Sequence, residues 1–124
     1  MNMEKRNDFS LSLKEIAEEL EAQVYSHPDK LNVKCKRVAA GDLMSDLLHI
    51  QQDGVILLTG LNSVQAARTC LLTDMKALIL VRGKKPSEEL LKEAELHGIP
   101  VLSTKLSLFS SCGRLYVRGL RGLP

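Results

Sequence analysis

The sequence predicts an α/β fold: a single three-layer domain with a mostly parallel sheet and helices on both faces. Three observations predict it. The short runs "VILLT", "ALILV" and "IPVLS" are continuously apolar, as strands buried on both faces require. Each run is followed by a stretch with apolar residues at helical spacing, so strand and helix alternate through the second half. The chain has 124 residues, one domain's length, enough to bury about two-thirds of its unfolded surface.

The elements follow in chain order. Residues 1–9 are polar and read as a frayed end, leaving residues 10–124 as the domain. "SLKE", from Ser12, has the spacing of a capping box, and Leu13, Ile16, Ala17 and Leu20 then share one helical face. "AQVYS" is a short extended piece, closed by His27-Pro28-Asp29. In "VKCKRVAAG", Val33 and Cys35 alternate with Lys34 and Lys36, the pattern of one strand with a wet face. Gly41-Asp42 is expected to cap a helix carrying Leu43, Met44, Leu47 and Leu48. After "VILLTG", the stretch "NSVQAARTCLLTD" is helical, with Asn62 and Gln65 placed like a second capping box. "KPSEELLKEAELHG" is a helix with Pro86 near its start, Glu88 and Glu89 in its first turn and Gly98 past its end. "LSLFSSCGRLYVRGL" places Leu108, Phe109, Cys112, Leu115 and Tyr116 at helical spacing, with Gly113 the one weak point.

Composition excludes several classes of function. Net charge is +2, Trp is absent and aromatic residues are 3% of the chain, so stacking on single-stranded nucleic acid has no platform. "RLYVRGLRG" reads as a solvated basic end without a DNA-binding motif, and no nucleic-acid partner is expected. The apolar runs, Val55 to Leu58 among them, are far below the ~20 residues of a membrane span. No signal-peptide pattern opens the chain, which is expected to be cytoplasmic. Cys35, Cys70 and Cys112 are scattered, with neither disulfide nor zinc spacing. His27, His49 and His97 are isolated, and the glutamates lie on exposed helix positions. With no nucleophile–base pair and no metal-ligand cluster, neither catalysis nor a cofactor is expected.

A ligand site, if present, belongs beyond the carboxyl ends of the parallel strands. Those ends carry Thr59-Gly60, Arg82-Gly83 with Lys84, and Ser103-Thr104, next to the helix start at Asn62-Ser63. Small residues let amides approach a ligand, a helix start offers free N–H donors, and Arg82 and Lys84 supply positive charge. The candidate binding residues are therefore Thr59, Gly60, Asn62, Ser63, Arg82, Gly83, Lys84 and Thr104. Ordinary turn and cap chemistry is the competing account of the same residues. There is no P-loop and no G-x-G-x-x-G, so a phosphate here would be bound and not transferred.

Residues 41–120, about two-thirds of the chain, resemble the DRTGG-domain family, and more narrowly its small stand-alone members. The residues that carry the resemblance include Met44-Ser45-Asp46, Thr59-Gly60, Gln65, Arg68-Thr69, Asp74, Val81-Arg82-Gly83-Lys84, Pro86, Thr104 and Cys112-Gly113-Arg114-Leu115-Tyr116. The letters D-R-T-G-G are absent, and Val81-Arg82-Gly83 stands where the second strand often ends in Thr-Gly-Gly. The resemblance, which extends to the N-terminal domain of HPr kinase/phosphorylase, implies a regulatory or assembly role and no kinase activity. It also implies subunit contacts and a setting near iron-only hydrogenases in anaerobes. The expected function is a non-catalytic regulatory or protein-interaction module acting as a homodimer. The alternative is a sensor of a nucleotide or other anion. A dimer contact is expected at Met44, Leu47, Leu48, Phe109 and Tyr116.

Overall fold

The computed structural model describes residues 9–123. The expected frayed end lies, apart from Phe9, outside the described residues. Eight strands and four α-helices follow one another along the chain: β1 (Leu11–Ser12), α1 (Leu13–Glu19), β2 (Gln23–Val24), β3 (Lys34–Cys35), β4 (Arg37–Ala40), β5 (Val55–Thr59), α2 (Val64–Thr73), β6 (Ala77–Leu80), α3 (Glu88–Leu96), β7 (Val101–Ser103), α4 (Leu108–Arg118) and β8 (Arg121–Gly122). The main sheet has the order β2-β7-β6-β5-β4-β8. Only β2 runs antiparallel to its neighbour there. A separate ribbon pairs β1 with β3.

The expected three layers are present. Side chains on a strand alternate between faces, and here each face meets its own helices. Val55, Leu57, Leu78, Leu80 and Val101 pack with Ala66, Ala67 and Cys70 of α2 and Leu90 and Ala94 of α3. Ile56, Leu58, Ala77, Ile79 and Leu102 pack on the other side with Leu13, Ile16 and Ala17 of α1 and Leu115 of α4. The β5-α2-β6-α3-β7 path moves one strand at a time in one direction, and right-handed crossovers then place both helices on one face. After β7 the chain reverses, so α4 returns across the opposite face to β8.

Local chemistry explains the helix starts. Ser12 Oγ accepts from the Glu15 amide while Glu15 Oε1 accepts from the Ser12 amide, so the expected capping box is present. Ser87 and Ser107 cap α3 and α4 in the same way from one side.

Four expectations need correction. The stretch read as one strand from Val33 is two strands, because the Lys36 and Arg37 amides both donate to the Gly54 carbonyl, at 2.7 and 3.2 Å, where the chain passes between sheets. The helix expected after Asp42 is one turn of 3₁₀ helix, Met44–Leu47, and Asp42 does not cap it. Asn62 does not cap α2: the N-cap position is Ser63, which has no side-chain cap bond. The basic end is also not merely solvated, since Arg121 and Gly122 pair with Arg37 and Val38 as a parallel edge strand.

Candidate functional site

Four strand ends meet at the carboxyl edge of the sheet. Each contributes a polar group just where the chain leaves its strand. From the end of β4 comes Asp42, whose Oδ1 accepts from the Gly60 amide at 2.7 Å and from Thr59 Oγ1 at 3.0 Å. Thr59 Oγ1 in turn accepts from the Leu61 amide, tightening the turn after β5. Lys84, beyond β6, donates from Nζ to the Gly60 carbonyl at 2.6 Å. Ser103, at the end of β7, donates to the Lys84 carbonyl at 2.6 Å. Both backbone groups of Gly60 are therefore held by charged side chains, a carboxylate on one and an ammonium on the other.

Arg82 stands over this turn. A Cβ on Gly60 would lie 3.0 Å from the Arg82 guanidinium and 3.4 and 3.5 Å from the two Asp42 carboxylate oxygens. A side chain there would press on the Arg82 guanidinium, which would have to shift by a few tenths of an ångström, and would touch the Asp42 carboxylate. Among the described residues the Arg82 side chain has no ion pair and no hydrogen bond. Its backbone holds φ 64°, left-handed territory that costs a residue with a side chain ~1–2 kcal/mol. Bonds from the Arg82 amide to Leu106 O and from the Gly83 amide to Thr104 O, both 2.8 Å, keep it there.

The Gly60 amide bond holds the Asp42 carboxyl below its ordinary pKa; burial opposes this, and Thr59, Arg82 and Lys84 add to the lowering. A group with a depressed folded pKa stabilises the fold above its unfolded pKa and loses that contribution as pH falls through the folded value. Asp42→Asn is therefore expected to melt below the wild type near neutral pH. The difference should vanish in acid, once Asp42 itself is protonated. Thermal melts at several pH values check this, and a pH-independent difference would remove the charge from the explanation.

The other expected residues divide. Asn62 joins the α2 start to the α3 start, donating to Lys85 O and accepting from the Ser87 amide. Ser63 Oγ is buried without a partner among the described residues and lines a groove with Asn62, Val64, Gln65, Ser87 and Glu89. Thr104 turns away from the edge: it is 1% exposed and its Oγ1 donates to the Leu20 carbonyl at 2.6 Å. Asp42 and Ser103 also belong to the edge: Ser103 stands beside Thr104 at a strand end that the sequence marks, whereas Asp42 reads from sequence as a helix cap. Their position at strand ends was the available signal. At the expected contact surface, Met44 is buried in the α2 side of the core and Leu47 packs against it, whereas Leu48, Phe109 and Tyr116 are exposed.

Cys35 and Cys70 are buried, and burial pushes both thiols up to about 12. Burial also raises Cys112, the opposite of what thiolate reactivity needs. Among the described residues no cluster of His, Cys, Asp or Glu is placed to hold a metal ion. No helix of the described residues is long and apolar enough to cross a membrane.

Fold and edge together define a three-layer α/β domain whose polar features lie at the carboxyl ends of parallel strands. The chain belongs to the DRTGG domain family, whose model matches residues 15–116. Among solved structures it is similar to the CBS and DRTGG domains of the regulatory region of Clostridium perfringens pyrophosphatase, crystallised with the activator diadenosine tetraphosphate. The TM-score is 0.68 at 26% identity, covering 88% of this chain and 47% of that one. This chain thus spans about half of that regulatory region. Among curated proteins no sequence match was found.

Proposed function

We propose that this chain is a non-catalytic regulatory module that works as a homodimer, in the cytoplasm and in the hydrogenase-linked energy metabolism of an anaerobe. The metabolic setting rests on the likeness to small stand-alone DRTGG proteins. The observation that carries the dimer is the outer face of α4. Phe109 is 87% and Val117 85% exposed, and Gly113 between them has nothing within 4 Å of where a side chain would begin. Each lies four positions from Gly113, so all three lie along one stripe of the helix. Tyr116, under the Arg121 guanidinium, extends it.

The stripe reads alike in both directions from Gly113. A two-fold axis crossing there sets each Phe109 against the partner's Val117 over a notch without side chains, the self-complementarity that an isologous contact needs. The flanking charges are already compensated: Arg114 pairs with Glu21, and Arg118 with Glu15 and Glu19. A second copy therefore meets apolar surface with a neutral rim, and apolar surface gathered in one place marks an interaction site. Sedimentation equilibrium is expected to give about twice the 13.7 kDa chain mass, and Phe109→Glu the single-chain mass. A wild type that stays monomeric at high concentration, or a variant that still dimerises, defeats the reading.

A second reading is favoured by Arg82. A guanidinium without a partner among the described residues, at a sheet's carboxyl edge, suits a sensor of a small anionic ligand. The related pyrophosphatase region was crystallised with a nucleotide activator, and we extend to this chain a response to a ligand of that general kind. The two readings are compatible, a ligand at the edge biasing what the dimer presents to a partner.

A further inference from the structure

We propose that Asp42 and Arg82, on the same side of the Gly60 α-carbon, form the binding site for a phosphorylated nucleoside or sugar: Arg82 takes the phosphate and the outer oxygen of Asp42 takes a hydroxyl. The inference rests on the sensor reading above and gives it a site and a ligand class.

The two groups have opposite charges and face the same absent side chain, yet they form no ion pair with each other. Each keeps unused bonding capacity. Asp42 spends Oδ1 on the Gly60 amide and the Thr59 hydroxyl, while Oδ2 has no hydrogen-bond partner among the described residues. Asp42 and Arg82 are both exposed, and an ionised carboxylate accepts only, so that oxygen is open to a ligand hydroxyl in place of water. Among the described residues the Arg82 guanidinium spends none of its donors, and its planar fork matches an oxyanion in bidentate geometry. Lys84 is committed to the Gly60 carbonyl and remains as fixed positive charge.

A simple anion satisfies Arg82 but is repelled by Asp42, and a neutral polyol satisfies Asp42 alone. A molecule with a phosphate at one end and hydroxyls nearby satisfies both. The backbone gives a second reason to place Arg82 in a binding role, because it carries a long charged side chain at φ 64°, a conformation that glycine adopts freely.

That backbone supplies a clean test. Arg82→Gly removes the guanidinium while relieving the left-handed strain, so the variant is expected to be at least as stable as the wild type. Wild type, Arg82→Gly and Asp42→Asn would each be titrated with AMP, ribose 5-phosphate, inorganic phosphate and adenosine, by calorimetry and thermal shift. AMP and ribose 5-phosphate are expected to bind the wild type and to lose affinity about tenfold or more in Arg82→Gly. Asp42→Asn is expected to weaken ribose 5-phosphate while binding inorganic phosphate no less well, because the repelling charge is gone. A phosphorylated ligand that stabilises all three proteins equally overturns this site and leaves the sensor reading standing. Absence of binding by every compound overturns this site alone, whereas a wider metabolite screen that also finds none overturns the sensor reading with it.

Discussion

Leu57→Ala is expected to cost about 2–5 kcal/mol of folding stability, the range for deleting a buried leucine side chain. Leu57 is fully buried at the centre of β5, with β4 on one side and β6 on the other. Its side chain lies in the cluster formed by α2, α3 and their face of the sheet. Strands on both sides and helices above limit how far the surroundings can close over the gap, so the transfer loss and the cavity loss add. Urea unfolding should show a lower midpoint with an unchanged slope, and the melting temperature should fall by roughly 10 °C or more. A loss below about 1 kcal/mol would mean that the α2–α3 layer settles into the space.

Thr104→Val is expected to lower stability by about 1–3 kcal/mol, although the two side chains have nearly the same shape. The hydroxyl donates to the Leu20 carbonyl, which lies just beyond α1, and accepts from the Leu106 amide at 3.2 Å. Valine leaves the Leu20 carbonyl without this partner in a buried place and the Leu106 amide without it in a half-buried one, and the cost of an unmade bond exceeds the net worth of a made one. Thr104 thereby ties the β7–α4 loop to the end of α1, 84 residues away in sequence. The substitution also separates two roles for one residue. Ligand affinity measured on the folded variant is expected to match the wild type, because the side chain faces α1. A variant of full stability but impaired binding would return Thr104 to the ligand edge.

Much of the fold was legible because its signals are local. Ile56, Leu57 and Leu58 in an unbroken run announce a strand covered on both faces, and the spacing in "SEELLKEAELHG" announces a helix with its start and stop. The Ser12–Glu15 capping box spans three residues, so spacing alone can reveal it. Alternation was less reliable. Val33, Cys35 and the residues after them keep a strand's period across Lys36, and only the shared Gly54 carbonyl shows that two sheets divide the segment. Arg121 and Gly122 carry no strand pattern at all; β4 recruits them through backbone pairing.

The candidate edge was legible as a place. Thr59-Gly60, Arg82 and Lys84 could be assigned to it because a parallel sheet has one carboxyl edge and each residue follows a recognisable strand. Which side chains turn toward that edge was not legible. Asp42 reads as a helix cap because the residues after it look helical, and it instead crosses to Gly60, 18 positions on. Thr104 sits at a strand end like Thr59, yet it bonds to Leu20 on the opposite side.

The sequence by itself therefore determined the layers, the succession of central strands and helices along the chain, and the edge at which a ligand would lie. Burial patterns and turn residues act over a few positions, and they carry that information. Only the tertiary structure decided that Asp42 and Arg82 share the space beside Gly60, that Met44 is inside while Phe109 is outside, and that α4 presents an unfilled notch at Gly113. Each of these depends on a partner brought from a distant part of the chain, and residue spacing has no term for such a partner until the strands pair.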